Sequence, residues 1–493
     1  MVGELILAVD QGTSSSKALL VDQTGGIVGK GSGPLGQSTP RPGWVDQSPA
    51  DIWDSIQAAV ADALAGLDDP TRIRAVGLST QRESLLLWER ATGDPVGPLV
   101  SWQDQRTADV CRRLVEAGHA ERVQQLSGLP VDPMFSATKA TWLLDTYDPD
   151  RGRSRRGELC LGTVDSWLLF RLGGGHVIEI GNASRTQLLN VRDFRWDAEL
   201  LDLFGIPEQC LPRIVPSAGR LGTAGGLAGV PADVPVAAVM GDSHAALFAH
   251  AAWEPGQVKA TYGTGSSVMG VTDRTDVVAA DGLCLTIAWQ QGDTPTLAVE
   301  GNIRASGATL GWLARTVGST PGELAMLAET TASDGVYLVP AFNGLAAPWW
   351  DNQAVGVIAG LSLGTGLPQL ARAALESMAY QVEDVVDAVS RTVAPVDVLL
   401  ADGGGSANPF LMQLQADISG RTVRRALDAD LSPLGVAHLA GTTIGLWDQT
   451  ALAELPRSRE AFAPGTSVDD RSRSRAAWRA AVARSRGQAP ATG

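Results

Sequence analysis

Short apolar runs alternate along the chain with longer stretches of helical spacing, and turns rich in Gly, Thr and Ser separate them. Residues 5–10 and 17–29 read as the two strands of a hairpin whose tip is Gln11-Gly12-Thr13-Ser14-Ser15-Ser16. Residues 37–46, with Pro40, Pro42 and Gly43, read as a loop. Ser48 then reads as an N-cap and Pro49 as the first position of a helix running to about Leu67. Residues 74–79 predict a buried strand that delivers Gln81, Arg82 and Glu83 at its carboxyl end, where α/β sheets place ligand groups.

The second half repeats this logic. A strand over 234–240 ends at Gly241-Asp242-Ser243-His244, and a second hairpin over 258–271 carries the tip Gly263-Thr264-Gly265-Ser266. Apolar positions at helical spacing predict a helix over 369–389. Residues 396–401 predict a strand that ends in Asp402-Gly403-Gly404-Gly405, after which Asn408 and Pro409 start a helix. Residues 471–486 hold six arginines among Ser and Ala, and Trp478 among them predicts a docked terminal helix with a solvated basic face.

A chain of 493 residues exceeds one ordinary core, and the boundary between two domains falls near residue 246, ahead of the second hairpin. This gives 1–246 and 247–493. Hydrophobic residues make up 44 % and charged residues 19 %, the balance of a packed globular protein. A net charge of −15 argues against nucleic acid as the partner. Cys111, Cys160, Cys210 and Cys284 lack paired spacing, so neither a zinc site nor a disulfide framework is expected. With no signal-peptide pattern and no apolar run of about 20 residues, a cytoplasmic protein without membrane contact is expected. Homodimerisation is left open.

The two tips are the most informative chemistry. A small polar hairpin tip lets backbone N–H groups approach an anion, and one tip per half could hold one polyphosphate. Gly12, Thr13, Ser14, Ser15, Gly263 and Thr264 are the candidate contacts, with Lys17 as an added point charge. No P-loop pattern occurs at either tip. Asp10 precedes the first tip and is placed to meet Mg²⁺. Asp242 could accept a proton from a substrate hydroxyl, or cap the following helix, or do both. His244 reads as a packed or surface histidine. Arg82 and Glu83 suit a polyhydroxylated ligand, against the alternative of a surface ion pair, and Trp102 could wall the same site. The three glycines 403–405 suit a flat ligand close to the backbone.

Taken together these residues resemble the FGGY carbohydrate kinases, most closely the glycerol kinase branch, over roughly residues 5–450. Asp10-Gln11-Gly12-Thr13, Pro42-Gly43-Trp44-Val45, Gln81-Arg82-Glu83 and Trp102-Gln103-Asp104 carry the resemblance in the first half. Phe135-Ser136-Ala137-Thr138-Lys139 and Asn182-Ala183-Ser184-Arg185-Thr186 follow. Tyr262-Gly263-Thr264-Gly265, Val339-Pro340-Ala341-Phe342 and Asp402-Gly403-Gly404 carry it in the second. It implies an α/β chain of two actin-like (ribonuclease H-like) domains with an interdomain cleft, the first for substrate and the second for nucleotide. It implies ATP and Mg²⁺, with Asp242 as catalytic base and, with Asp10, a metal contact. It also implies Gly307, Gly404, Gly405 and Asn408 in the nucleotide pocket, and Arg82, Glu83 and Trp102 at the polyol.

Four positions depart from the glycerol kinase pattern. Met134 stands in place of tyrosine, Ser243 of glutamine, Ser267 of phenylalanine, and Lys17 of arginine. Two smaller side chains and a lost hydroxyl favour a substrate longer than glycerol, such as a four- or five-carbon polyol or ketose. Glycerol itself, a catalytically silent sugar or nucleotide sensor, and a chaperone-type ATPase are the rival readings. Intact Asp10 and Asp242 argue against the sensor, and the Arg82, Glu83 and Trp102 wall argues against the ATPase.

Overall fold

The computed structural model describes residues 3–275 and 282–487. Its chain forms two compact units that interleave in sequence. The first holds Met1–Ala251, Leu285–Ala298 and Asp430–Pro456, and the second holds Ala252–Cys284, Val299–Ala429 and Arg457–Gly493. The expected single cut near 246 therefore becomes several crossings. Specific bonds explain why later segments join the first unit. The amides of Leu285, Ile287 and Gln290 donate to the Gly128 carbonyl, the Ser184 hydroxyl and the Ser217 hydroxyl at 2.9, 3.1 and 2.8 Å. The helix Leu431–Thr443 packs so closely on the helix Asp242–Ala249 that a Cβ at Gly435 would lie 1.8 Å from the Ala245 carbonyl.

In the first unit a six-stranded sheet runs in the order Ala218–Thr223, Pro235–Gly241, Ile73–Thr80, Leu5–Gln11, Ser15–Asp22, Ile27–Pro34. The three middle strands, beginning at Pro235, Ile73 and Leu5, are parallel, and the edges are antiparallel. The segment 17–29 is thus not one strand. It breaks at Gln23–Gly26 because the Asp22 carboxylate accepts from the Thr24 and Gly26 amides, and the Asp22 carbonyl accepts from Gly25. Gln23 to Gly26 therefore turn back on Asp22 before the ladder resumes.

The last of these strands explains how the first helix sits on the sheet. Gly29, Gly31 and Gly33 alternate along it, and a Cβ at Gly31 or Gly33 would lie 2.2 or 2.1 Å from the carbonyl of Ala59 or Ser55. The helix Pro49–Leu64 therefore lies with its backbone against the strand. Ser48 caps it by accepting from the Asp51 amide, as its sequence predicts, and it ends three residues before Leu67.

The sheet that carries the second hairpin has the order Cys284–Gln290, Pro295–Ile303, Ser266–Thr272, Val258–Tyr262, Val398–Asp402, Thr422–Ala426, Arg459–Phe462. Its hairpin pairs antiparallel, and Val258–Tyr262 then pairs parallel with Val398–Asp402. The same relation joins Leu5–Gln11 to Ser15–Asp22 and to Ile73–Thr80, so each unit presents a hairpin tip beside the carboxyl end of a parallel strand.

The predicted helix over 369–389 spans Leu367–Thr392, and the arginine-rich tail forms the helix Val468–Ser485. Trp478 is buried, stacks on Tyr380 at 5.1 Å and donates to Asp384 at 2.8 Å. The basic face is only partly solvated. Arg475 pairs with Glu383 and Asp387, because the acidic residues of Leu367–Thr392 face it. No helix among the described residues is long and apolar enough to cross a membrane.

Candidate active site

At the first tip, protein donors hold the carbonyls. The Gly12 carbonyl accepts from the Gln11 side chain at 2.7 Å and the Thr13 carbonyl from the Gln47 side chain at 2.7 Å. The Ser14 carbonyl accepts from the Leu35 amide and that of Ser15 from the Gly12 amide, both at 3.0 Å. With the carbonyls tied back, the amides of Thr13 and Ser14 meet no protein acceptor among the described residues. Thr13 is half-buried and Ser14 exposed, so these two adjacent amides lie open to a ligand, and an anion could take both.

The second tip is built the same way by different means. The Gly263 carbonyl accepts from the Gly307 amide, and the Thr264 carbonyl accepts from the Ser306 and Ala308 amides, all at 3.0 Å. The Gly265 carbonyl accepts from Gly263 at 2.9 Å. The amides of Thr264 and Gly265 meet no protein acceptor among the described residues. The Gly307 amide braces the tip, and its lack of a side chain matters there, since a Cβ would lie 2.8 Å from the Gly263 carbonyl.

Asp10 is the penultimate residue of the first strand, just before the tip, and accepts from the Ser79 hydroxyl at 2.7 Å. Burial, then the charge of Asp242, push its carboxyl up to about 7, against the pull of Ser79 and Lys17. A carboxyl raised by a neighbouring carboxylate in this way would be relieved by a divalent cation. Among the described residues no cluster of three His, Cys, Asp or Glu forms an all-protein metal cage. Mg²⁺ retains waters and phosphate oxygens and needs one or two carboxylates, which Asp10 and Asp242 could supply.

Asp242 is the first residue of its helix, and Gly241 holds the cap position, so the N-cap alternative is off by one. Its carboxylate accepts from the Ser243 amide at 2.7 Å and lies 3.3 Å from the Arg82 Nε. The Asp242 side chain is 38 % exposed, so the group is held yet open. Arg82 is buried, and its Nη1 lies 3.3 Å from the Nε2 of a fully buried His244. Glu83 is also buried and accepts from Arg185 Nε at 2.6 Å. Arg82 and Glu83 are therefore no surface pair. They bond to different partners, because Glu83 adopts φ 61° and turns the chain between them. The Trp102 indole donates to the Thr13 hydroxyl at 3.0 Å and joins this wall to the first tip.

Lys17, the candidate point charge toward a phosphate, bonds Asp430 through one proton of its ammonium at 2.8 Å, and Lys30 takes the other carboxylate oxygen. Arg185 and Asp430 are the residues that sequence reasoning missed. Arg185 lies inside the motif 182–186 and could have been suspected. Asp430 is 413 positions from Lys17, and nothing local marks it.

In the second unit Gly404 is exposed, and a Cβ there would meet nothing within 4 Å, so protein packing does not demand its glycine. Gly405 packs on Tyr262. The Asn408 side chain caps the helix Pro409–Ser419 by accepting from Phe410 and Leu411. Of the departing positions, Met134 and Ser243 are half-buried, and Ser267 is buried with its hydroxyl donating to Glu300 at 2.9 Å.

Comparison with known proteins gives the family of the chain. Residues 5–249 match the N-terminal domain, and residues 258–444 the C-terminal domain, of the FGGY family of carbohydrate kinases. A glycerol kinase of Aromatoleum aromaticum is 44 % identical over 493 residues, covering 98 % of this chain and 99 % of the relative. An apulose kinase of Pectobacterium atrosepticum is 41 % identical over 496 residues, covering 99 % of each. The structure of Plasmodium falciparum glycerol kinase with ADP matches with a TM-score of 0.89 at 28 % identity, covering 98 % of each chain. The fold is the two-domain, actin-like α/β fold of these kinases. The chain belongs to the FGGY family of carbohydrate kinases, on its glycerol kinase branch, and is an ATP-dependent carbohydrate kinase.

Proposed function

We propose that the enzyme phosphorylates a hydroxyl of a polyol or ketose larger than glycerol, using ATP with Mg²⁺. The observation that carries the phosphoryl-transfer half is the shared construction of the two tips. Each turns its carbonyls onto protein donors and leaves two consecutive amides for an anion. Thr13 and Ser14 are assigned to one part of the polyphosphate, and Thr264 with Gly265 to another. Gly404 and Gly405 line the nucleotide, while Gly307 and Asn408 act through the backbone they brace.

Asp242 takes the proton of the attacking hydroxyl. Its bond to the Ser243 amide and its contact with Arg82 hold the carboxylate in one orientation. Arg82, Glu83 and Trp102 meet the substrate hydroxyls. Mg²⁺, held by Asp10 and Asp242, would neutralise charge on the transferred group. The first unit thus serves the substrate and the second the nucleotide.

The substrate half rests on Met134 and Ser243, both in the first unit. Met134 offers no hydroxyl, and Ser243 offers a short side chain, at half-buried positions. Glycerol is the second reading, favoured by the 44 % identity to a glycerol kinase. The nearly equal identity to an apulose kinase keeps sequence similarity from deciding between them.

The test is ADP release from ATP with Mg²⁺ against glycerol, erythritol, threitol, erythrulose, ribitol, xylitol, xylulose and ribulose. The expected result is a larger polyol or ketose with the highest kcat/KM, and loss of at least 100-fold, on the order expected for a general base, in Asp242→Asn. Glycerol exceeding every larger substrate overturns the specificity. Silence of the wild type across the panel overturns the proposed substrate class.

A further inference from the structure

Lys17 lies directly across the first hairpin from Asp10, yet its ammonium is not left to find its own position. It bonds one oxygen of Asp430 at 2.8 Å, and Lys30 takes the other. The Asp430 carboxylate is only 4 % exposed, whereas the two lysines are 39 % and 60 % exposed. An exposed ion pair contributes little, but a buried carboxylate with two cations is a constrained one. Burial works against its charge, and the bonds from Lys17 and Lys30 outweigh that and hold it below the usual carboxylate range.

Asp430 also sits where an aspartate would ordinarily cap a helix, immediately before Leu431–Thr443. It makes no side-chain capping bond there. Its carboxylate reaches the hairpin strands instead. Two residues on, the Ser432 hydroxyl donates to the Asp242 carbonyl at 3.0 Å. One helix turn therefore touches both Lys17 and the backbone of Asp242. The same helix rests on the Asp242 helix through Gly435.

An arginine presents a planar fork that orients itself on a phosphate, whereas a lysine is a flexible point charge on a four-carbon stem. A lysine at position 17 needs an external anchor to act from a fixed place. The ammonium has three protons, and one bond accounts for its partners among the described residues. We propose that Asp430 is a positioning residue for phosphoryl transfer. It holds the Lys17 ammonium beside the first tip by one proton and leaves the others to a phosphate oxygen of the nucleotide. This rests on the kinase reading above.

A double-mutant cycle tests it, since residues acting through one another are non-additive. Asp430→Asn should lower kcat about tenfold, with KM for ATP no higher than in the wild type, because a negative charge near the phosphates is removed while the ammonium loses its place. Lys17→Met should lower kcat by at least as much. In the Lys17→Met background, Asp430→Asn should change kcat by less than twofold. A purely structural Asp430 would lower activity equally in both backgrounds, and that additive outcome overturns the inference. Should Asp430→Asn not fold, Asp430→Glu keeps the charge but displaces it by one methylene, and the same coupling is expected. A wild type that releases no ADP with any sugar overturns the kinase reading and this inference with it. An active wild type with additive losses overturns this inference alone.

Discussion

Arg185 Nε donates to Glu83 Oε1 at 2.6 Å, and neither side chain reaches bulk solvent. The guanidinium also lies over the Phe135 ring, with 5.1 Å from its carbon to the centroid. Arg185 thus fixes the carboxylate assigned to substrate hydroxyls and ties it to the segment that carries Met134.

Removing one partner of this pair leaves the other charged and buried. Arg185→Met should cost about 3–5 kcal/mol of stability and raise KM for the polyol more than KM for ATP. Guanidinium unfolding with steady-state kinetics checks both. A loss within ±0.5 kcal/mol, the range of ordinary surface changes, would show that the pair is not buried in solution.

Asp10 predicts a pH dependence. In the metal-free protein its carboxyl is pushed up to about 7 by burial and by Asp242, while an unfolded aspartate titrates near ~3.9. Between those values the folded protein binds a proton that the unfolded chain has released. The stabilising difference is fully present below the lower value and is lost as pH rises through 7. Metal-free wild type should therefore lose stability between pH 4 and 7 relative to Asp10→Asn, which keeps a neutral group. Melting temperatures of both proteins across that range decide it, and parallel curves would refute the shift. Apparent Mg²⁺ affinity should rise over the same range, since the ligand must deprotonate.

Gly31→Ala should be destabilising by about 1–3 kcal/mol or more, because its Cβ would meet the Ala59 carbonyl at 2.2 Å. Gly36→Ala, where a Cβ meets nothing within 4 Å, is the control. Equal denaturation midpoints for the two variants would show that the helix is not seated on the strand.

Met134→Tyr restores the residue of the glycerol kinase pattern at a half-buried position. It should raise kcat/KM for glycerol and lower it for the larger substrate, by about 10–200-fold in their ratio if the pocket discriminates as others do by size. An unchanged ratio in competition assays would remove Met134 from the specificity determinants.

Much of the molecule was determined by local sequence alone. Ser48 and Pro49 start a helix because their capping and backbone preferences act within one turn, and Asn408 with Pro409 does the same. The two hairpins, the strand before Gln81 and the run of motifs shared with one kinase family were legible because each depends on neighbouring residues. The break at Asp22 is equally local, since its carboxylate bonds amides two and four residues on, at the end of an apolar run that by itself reads as a continuous strand. Only tertiary structure decided the rest. Lys17 meets Asp430 across 413 positions, and Glu83 meets Arg185 across 102. Residues 285–290 join the first unit through Gly128, Ser184 and Ser217. Such pairings satisfy buried charges and amides with partners set by how the sheets stack, and no local pattern encodes a partner so distant along the chain.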